Sequence, residues 1–472
     1  MPLPNVESMT RTGHIVLGAT VRALGAWPSG WRYPGAHHDP REDPAALRAA
    51  AIAAEAAGLD FLFFGDWLAT AEEYELTDPY LLARIEPLAA INYLAAVTDR
   101  IGLVATINSS HSEPYSVARA TASADILSGG RVGLNVATGA ETRSARNFGW
   151  DQVHSDSDRL ASGGELIELV RRLWDSWEDD AFVGDAHSGI LIDARKLHPT
   201  DFIGQHRAST GPLNVIRPPQ GHLPVAVAGG SANARRLAVL EADIMLTAPR
   251  TLAEAVASYA TAKAEAASVG RDPSQFILLA PVLPIVGATR EEAWDVYDAL
   301  VALVPLEGDT DRTIPVNRTI RSLSSVLGVP AREVVLDDEV GVRTAARFSE
   351  LGRNLLQAVR ERSGRAPGSD RGVTFRHLAV AHSVQAPIIV GSFEDVADHL
   401  EAWFTREAVD GFTVLSAFLG EQFEAFTTLV VPELARRGLF RSSYTTRTLR
   451  EHLGLGVPSN IHSTLPFITA YQ

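Results

Sequence analysis

The apolar run Pro224-Val225-Ala226-Val227 passes through Ala228 into Gly229-Gly230-Ser231, and a helical pattern opens at Ala234-Arg235-Arg236-Leu237. A strand that turns through two glycines into a helix leaves first-turn N–H groups without intrahelical partners. The helix dipole adds partial positive charge at the same place. A phosphate suits such a turn, and Ser231 can cap the helix or donate its hydroxyl to that phosphate. The same residues also suit a plain strand-to-helix turn with no ligand. Residues closing the other apolar runs are mostly neutral hydrogen-bonding groups. They are Arg22 and Trp27, Asp66 and Trp67, Thr106 with Asn108, Ser109 and His111, Asn135 with Thr138, and Thr247 with Arg250. Catalysis by paired carboxylates or a metal would demand more charge here. The set better suits a bound cofactor that carries the chemistry while the protein orients it.

Three other groups have structural readings beside functional ones. Asp66 fits a cap on the turn after its strand as well as a cofactor contact. His37-His38-Asp39 lies between Gly35 and Pro40, so it reads as a loop rather than a metal site, since adjacent histidines do not easily face one ion. Trp174-Asp175-Ser176-Trp177-Glu178-Asp179-Asp180 ends a helix. Its acids read as a solvated face and its tryptophans as packing.

The elements that must position these residues are short apolar strands alternating with amphipathic helices. Strands are expected at His14 to Val21, Phe61 to Phe64, Ile101 to Thr106, Val132 to Val136, Pro224 to Ala228, Ile244 to Thr247, Phe276 to Val286 and Phe412 to Ser416. Helices are expected between them, among them Pro44 to Ala57, Ser116 to Leu127, Glu165 to Trp174, Val396 to Arg406 and Phe423 to Arg437. Continuous apolar strands separated by helices imply a parallel sheet buried on both faces. Eight of them make an α/β fold of the (β/α)8 TIM-barrel type the leading architecture, with a doubly wound open sheet as the rival. The rhythm breaks twice, giving insertions after the fourth and seventh strands. Residues of about 178–222 form an excursion without strands of its own. Residues of about 290–385 form a helical insertion, with helices at Glu291 to Val304, Val316 to Leu327 and Thr344 to Arg362. A non-periodic tail of about 455–472 is expected to wrap the body or a partner subunit, and the whole reads as one domain.

Composition narrows the function. The chain has 472 residues, 46% of them hydrophobic, and a formal net charge of −15. That charge argues against nucleic-acid and anionic-membrane partners. Zero cysteines exclude disulfides, thiolate nucleophiles and cysteine-held metals. Met1 to Glu7 carries no apolar core preceded by positive charge, and no window reaches the ~20 apolar residues of a membrane span. A soluble cytoplasmic protein is expected.

Taken with their surroundings, these residues resemble the bacterial luciferase-like flavin-dependent monooxygenases, in the branch of nitrilotriacetate monooxygenase component A and dibenzothiophene-sulfone monooxygenase. The resemblance runs through Gly25-Ala26-Trp27, Phe61-Leu62-Phe63-Phe64-Gly65-Asp66 and Ile101-Gly102-Leu103-Val104-Ala105-Thr106. It continues through Glu113-Pro114-Tyr115, Leu127-Ser128-Gly129-Gly130-Arg131, Asn135-Val136-Ala137-Thr138 and Ala145-Arg146-Asn147-Phe148-Gly149. It closes with Leu173-Trp174-Asp175-Ser176-Trp177, Val431-Pro432-Glu433-Leu434 and Arg437-Gly438-Leu439-Phe440-Arg441. It implies a TIM barrel that uses FMN as FMNH2 with O2 as co-substrate, oxidising a small organic substrate through a flavin peroxide. A separate NAD(P)H:FMN reductase would supply the reduced flavin, and the chain would form a homodimer or homotetramer.

The resemblance places Asp66, Thr106, Asn135 and Ser231 around the flavin, with Asn108 and Ser109 under its ring system and Gly229, Gly230 and Ser231 on its phosphate. Trp27, Trp67 and Phe418 become candidates for excluding water. Arg22, His111 and Arg250 become candidates for steering an anionic substrate, and no catalytic acid or base is assigned. Relatives carry His-x-x-Arg-Tyr before the helix corresponding to Glu165 to Trp174. Aligned on Arg159, this chain has Asp156 and Leu160 at the histidine and tyrosine positions, with His154 two residues upstream. The alternatives are a deazaflavin-dependent oxidoreductase of the same superfamily, or a barrel that binds flavin without turnover.

Overall fold

The computed structural model describes residues 13–306, 319–384 and 387–463. Its strands, in chain order, begin with β1 (Val16–Thr20), β2 (Phe61–Phe64), β3 (Gly102–Asn108) and β4 (Val132–Ala137). Two short antiparallel ladders follow: β5 (Phe182–Asp185) with β6 (Ile190–Ile192), and β7 (Phe202–Ile203) with β8 (Ala208–Ser209). Then come β9 (Val225–Ala228), β10 (Ile244–Leu246), β11 (Ile277–Gly287), β12 (Ile388–Ser392) and β13 (Gly411–Leu415). Parallel pairing runs β1-β2-β3-β4-β9-β10-β11-β13 and returns to β1. The sheet is therefore closed, a (β/α)8 barrel of eight strands, and the open-sheet alternative is excluded. All eight expected barrel strands are present, because each is a continuous apolar run buried on both faces.

The chain's own tail fills the base of the barrel. Leu449, Leu453 and Leu455 pack against Phe61, Val104, Ile244 and Ile277 inside it. Glycines make room for this plug: a Cβ at Gly102 would lie 2.5 Å from Leu449, and one at Gly133 would lie 2.9 Å from it. Residues 455–463 then run along the body, where Asn460 Nδ2 donates to the carbonyls of Asp175 and Trp177. The rest of the expected tail, 464–472, lies outside the described residues.

At the other end, β11 outgrows the barrel. Its first half pairs with β10 and β13, while Leu283–Gly287 pairs with β12, a strand that sequence periodicity does not reveal. On this extension sits a second hydrophobic core. It draws on the helices Arg290–Leu303, Ile320–Leu327, Glu350–Ser363 and Phe375–Ser383 and also takes in Trp27 and Phe418.

Three expectations need correction. The excursion after the fourth helix contains the β5–β6 and β7–β8 ladders rather than no strands. The expected helix Thr344 to Arg362 is broken, because Ser349 leaves helical geometry and its Oγ caps a new helix by accepting from Gly352 N. The expected helix Phe423 to Arg437 holds a π-helical turn at Phe426–Val430, two residues before Pro432. The start of the helix expected at Val316 falls outside the described residues. No helix among the described residues is long and apolar enough to cross a membrane.

Candidate active site

Parallel closure brings the C-terminal ends of all eight barrel strands to one rim. Register sets Thr106 beside Asn135 on β3 and β4, and Asn135 Nδ2 donates to Thr106 Oγ1 at 3.0 Å. Both residues are buried, yet Asn135 Oδ1 has no partner among the described residues. The same holds for Ser109 Oγ and for His111 Nδ1, in the turn that follows β3. An unpaired buried polar atom costs ~1–3 kcal/mol, so three on one rim suit a polar ligand that would satisfy them. Asn108 instead shapes the turn, its Oδ1 accepting from Ser110 N, while Ser110 Oγ donates to Thr138 O.

Aromatic residues hold His111. Its ring stacks on Phe148 at 4.1 Å and meets Trp150 at 4.8 Å, and Trp150 in turn meets His154 edge-on at 4.8 Å. Burial lowers the pKa of His111, disfavouring its charged form. At the end of β2, Asp66 caps no helix; its Oδ1 accepts from the N–H of the adjacent Trp67 at 2.8 Å. Burial pushes its carboxyl up, opposed by that N–H and by nearby Arg84. Trp67 is partly exposed, with its indole against Tyr74 Oη.

The Gly229–Ser231 turn leads into the helix Ala232–Glu241, and Ser231 is its N-cap: Oγ accepts from Ala234 N at 3.1 Å. That leaves the serine O–H and the first-turn N–H groups of Ala232 and Asn233 available. Gly229 lies close to Met245, where a Cβ would stand 2.7 Å from Sδ and displace that side chain; around Gly230 there is open space. Asp156 opens the helix Asp156–Trp174 and faces this turn. It accepts from Arg159 Nη2 at 3.0 Å and from Asn233 Nδ2 at 3.3 Å. Leu160 is buried in the barrel's outer core.

Other expected site residues lie apart or work structurally. Trp27 and Phe418 are both buried in the second core. Trp27 is fully buried, its indole donating to Leu300 O at 2.9 Å, and Phe418 stacks on Tyr33 at 4.4 Å. They fasten the helical insertion to the barrel. Arg22 is held by Asp78 at 2.8 Å, above the Tyr80 ring. Arg250 is exposed, beside the N-cap Thr251 of the following helix. His37 pairs with Asp43 at 2.7 Å and Asp39 caps the turn Pro40–Glu42. Asp175, expected with its neighbours on a solvated face, is instead buried between Arg217 and His222, both at 2.9 Å.

Arg207 gives no signal in the sequence. From the β7–β8 ladder it donates to the carbonyls of Ser109 and Ser112 and so fixes the end of β3. It also lines a cavity of about 460 Å3 with Ser110, Trp150, His154 and Arg159. No local pattern in Gln205-His206-Arg207 marks it, because its partners lie almost a hundred residues upstream.

The residues at the rim fit a flavin: unpaired polar atoms for a ring system at β3 and β4, and an anion-ready helix start after β9. Comparison with known proteins identifies the family. A family model described as luciferase-like monooxygenase matches residues 27–410. The chain is 34% identical over 457 residues to N-acetyl-S-(2-succino)cysteine monooxygenase of Bacillus subtilis, covering 94% of this chain and 98% of that protein. It is 35% identical over 465 residues to nitrilotriacetate monooxygenase component A of Aminobacter aminovorans, covering 94% and 97%. Among solved structures it is similar to EDTA monooxygenase from Chelativorans sp. BNC1, with a TM-score of 0.72, 28% identity, and coverage of 94% and 99%.

Proposed function

The chain belongs to the luciferase-like monooxygenase family, and from that premise we propose that it is the oxygenase of a two-component system. It would take reduced FMN from a separate NAD(P)H:FMN reductase and use O2 to oxidise a small organic substrate. The observation that carries the flavin assignment is the trio of buried, unpaired atoms, Ser109 Oγ, Asn135 Oδ1 and His111 Nδ1, on the rim that also carries the Gly229–Ser231 turn.

Reduced flavin, when bound, supplies the electrons that activate O2. The protein's part is to bind, orient and keep water out. Asn135 and Ser109 offer hydrogen bonds to a ring system, with Thr106 orienting the Asn135 amide from the neighbouring strand. Ser231 O–H and the N–H groups of Ala232 and Asn233 receive the phosphate. The imidazole of His111, clamped against Phe148, can accept or donate a hydrogen bond at Nδ1 according to its tautomer. Trp27 and Phe418 anchor the second core over the rim, which lowers water access to the reacting atoms.

The test is to mix the purified chain anaerobically with reduced FMN, then with oxygenated buffer, in a stopped-flow spectrometer. The reading expects saturable binding and reoxidation slower than that of free reduced FMN. No binding, with reoxidation at the free-flavin rate, would remove it.

A further inference from the structure

We infer that Asp156 sets the flavin specificity of this chain: it weakens the preference for the phosphorylated flavin over the unphosphorylated one. The inference rests on the flavin reading above and concerns the far end of the same site. Two helix starts meet there. Ser155 caps Asp156–Trp174, its Oγ accepting from Asp158 N at 3.2 Å, and Ser231 caps Ala232–Glu241. Each helix start carries roughly half a positive charge, so their junction attracts an anion.

This chain has already placed a carboxylate of its own at the junction. Asp156 Oδ2 accepts from Asn233 Nδ2 on the second helix, and Asp156 Oδ1 takes Arg159 Nη2. Arg159 is thereby committed, its Nη1 going to His154 O at 2.8 Å. Its side chain is only 10% exposed, and its buried Nε has no partner among the described residues. Of the other charges nearby, Asp158 accepts from Ser155 Oγ and Arg235 is paired with Glu265 at 3.1 Å, while Arg236 is exposed and lines a surface pocket with Ser157 and Asn233. A flavin phosphate carries a charge of about −1.5 to −2 at neutral pH. It would meet two helix starts and the exposed Arg236 on one side, and on the other a cancelled Arg159–Asp156 pair and the further carboxylate of Asp158. A flavin that ends in a hydroxyl is indifferent to all of these charges. The two helix starts thus favour FMN, Asp156 opposes it, and the discrimination is small.

Asp156→Asn keeps an oxygen for Asn233 or Arg159, removes the opposing charge and leaves Arg159 uncompensated. The Asp156 side chain is 52% exposed, so the substitution should be tolerated and its charge effect should weaken with salt. The experiment is anaerobic titration of wild type and D156N with reduced FMN and with reduced riboflavin, at low and high ionic strength, with circular dichroism confirming the fold. Wild type should bind the two flavins within about tenfold of each other. D156N should bind FMN about tenfold more tightly at low salt, less so at high salt, with riboflavin unchanged within about twofold. FMN affinity unmoved by D156N, or both flavins tightened equally, overturns the role of Asp156 while leaving the flavin site standing. Binding of neither flavin by either protein overturns the flavin reading and this inference with it.

Discussion

The side-chain amide of Asn135 donates to the hydroxyl of Thr106 at 3.0 Å across neighbouring strands, and its own Oδ1 is left buried without a partner among the described residues. The bond fixes which way the amide points, so the free oxygen is aimed rather than merely spare. Asn135→Ala should lower reduced-flavin affinity by about tenfold, the worth of one buried hydrogen bond, and shift stability by about 1 kcal/mol. Thr106→Val should produce a smaller loss, because it frees the amide to rotate without deleting it. Anaerobic titration and urea unfolding of both variants check this. Equal affinity in all three proteins would remove Asn135 from the site.

The barrel is legible in the sequence because its signal is local. Each of the eight strands is an apolar run short enough for strand and flanked by turn residues, and the rim residues follow from the ends of those runs. What escapes is non-local. β12 has only Ile388, Ile389 and Val390 as its apolar signal, and it pairs with the part of β11 that leaves the barrel. Asp175 looks solvated in the sequence because Arg217 and His222, which bury it, come more than forty residues later. Trp27 reads as a pocket residue from its place after β1. Its partner Leu300 belongs to an insertion whose docking no periodicity predicts.

The Trp27–Leu300 bond is itself testable. Leu300 lies in the last turn of Arg290–Leu303, where carbonyls have no helical partner, and the buried indole satisfies one of them. Trp27→Phe keeps most of the volume but strands that carbonyl, at a cost of about 1–3 kcal/mol. The expected outcome is faster tryptic cleavage within the helical insertion and a higher yield of hydrogen peroxide per reduced FMN consumed. A cleavage pattern and peroxide yield identical to wild type would show that Trp27 fastens nothing that matters to the rim.

At the opposite end of the barrel, Asp125 is buried and accepts from Val132 N and Gln220 Nε2, and burial pushes its carboxyl up to about 6. In the unfolded chain it titrates near its ordinary value of about 3.9, so between these values the folded protein holds the extra proton. Its contribution is fully present below about pH 4 and is lost as pH rises through about 6. The stability of wild type minus that of Asp125→Asn should therefore fall by about 2 kcal/mol between pH 4.5 and pH 7.5, whatever the offset between the two proteins. Urea unfolding at both pH values measures it. A difference that stays constant or grows with pH contradicts the assigned direction.

Ser231 separates the cap from the anion site. Aspartate caps a helix as well as serine does, so Ser231→Asp should keep the bond from Ala234 N and change stability by less than about 0.5 kcal/mol. The substitution nevertheless puts a second carboxylate at the junction that already holds Asp156, directly where the helix start would receive a phosphate. Reduced FMN should bind at least about thirtyfold more weakly than to wild type, while reduced riboflavin keeps its affinity, since only FMN brings an anion to that turn. Anaerobic titration with both flavins reads the two affinities directly. Equal losses for FMN and riboflavin would mean that the variant distorts the rim, and an unchanged FMN affinity would mean that the phosphate is not held at Gly229–Ser231.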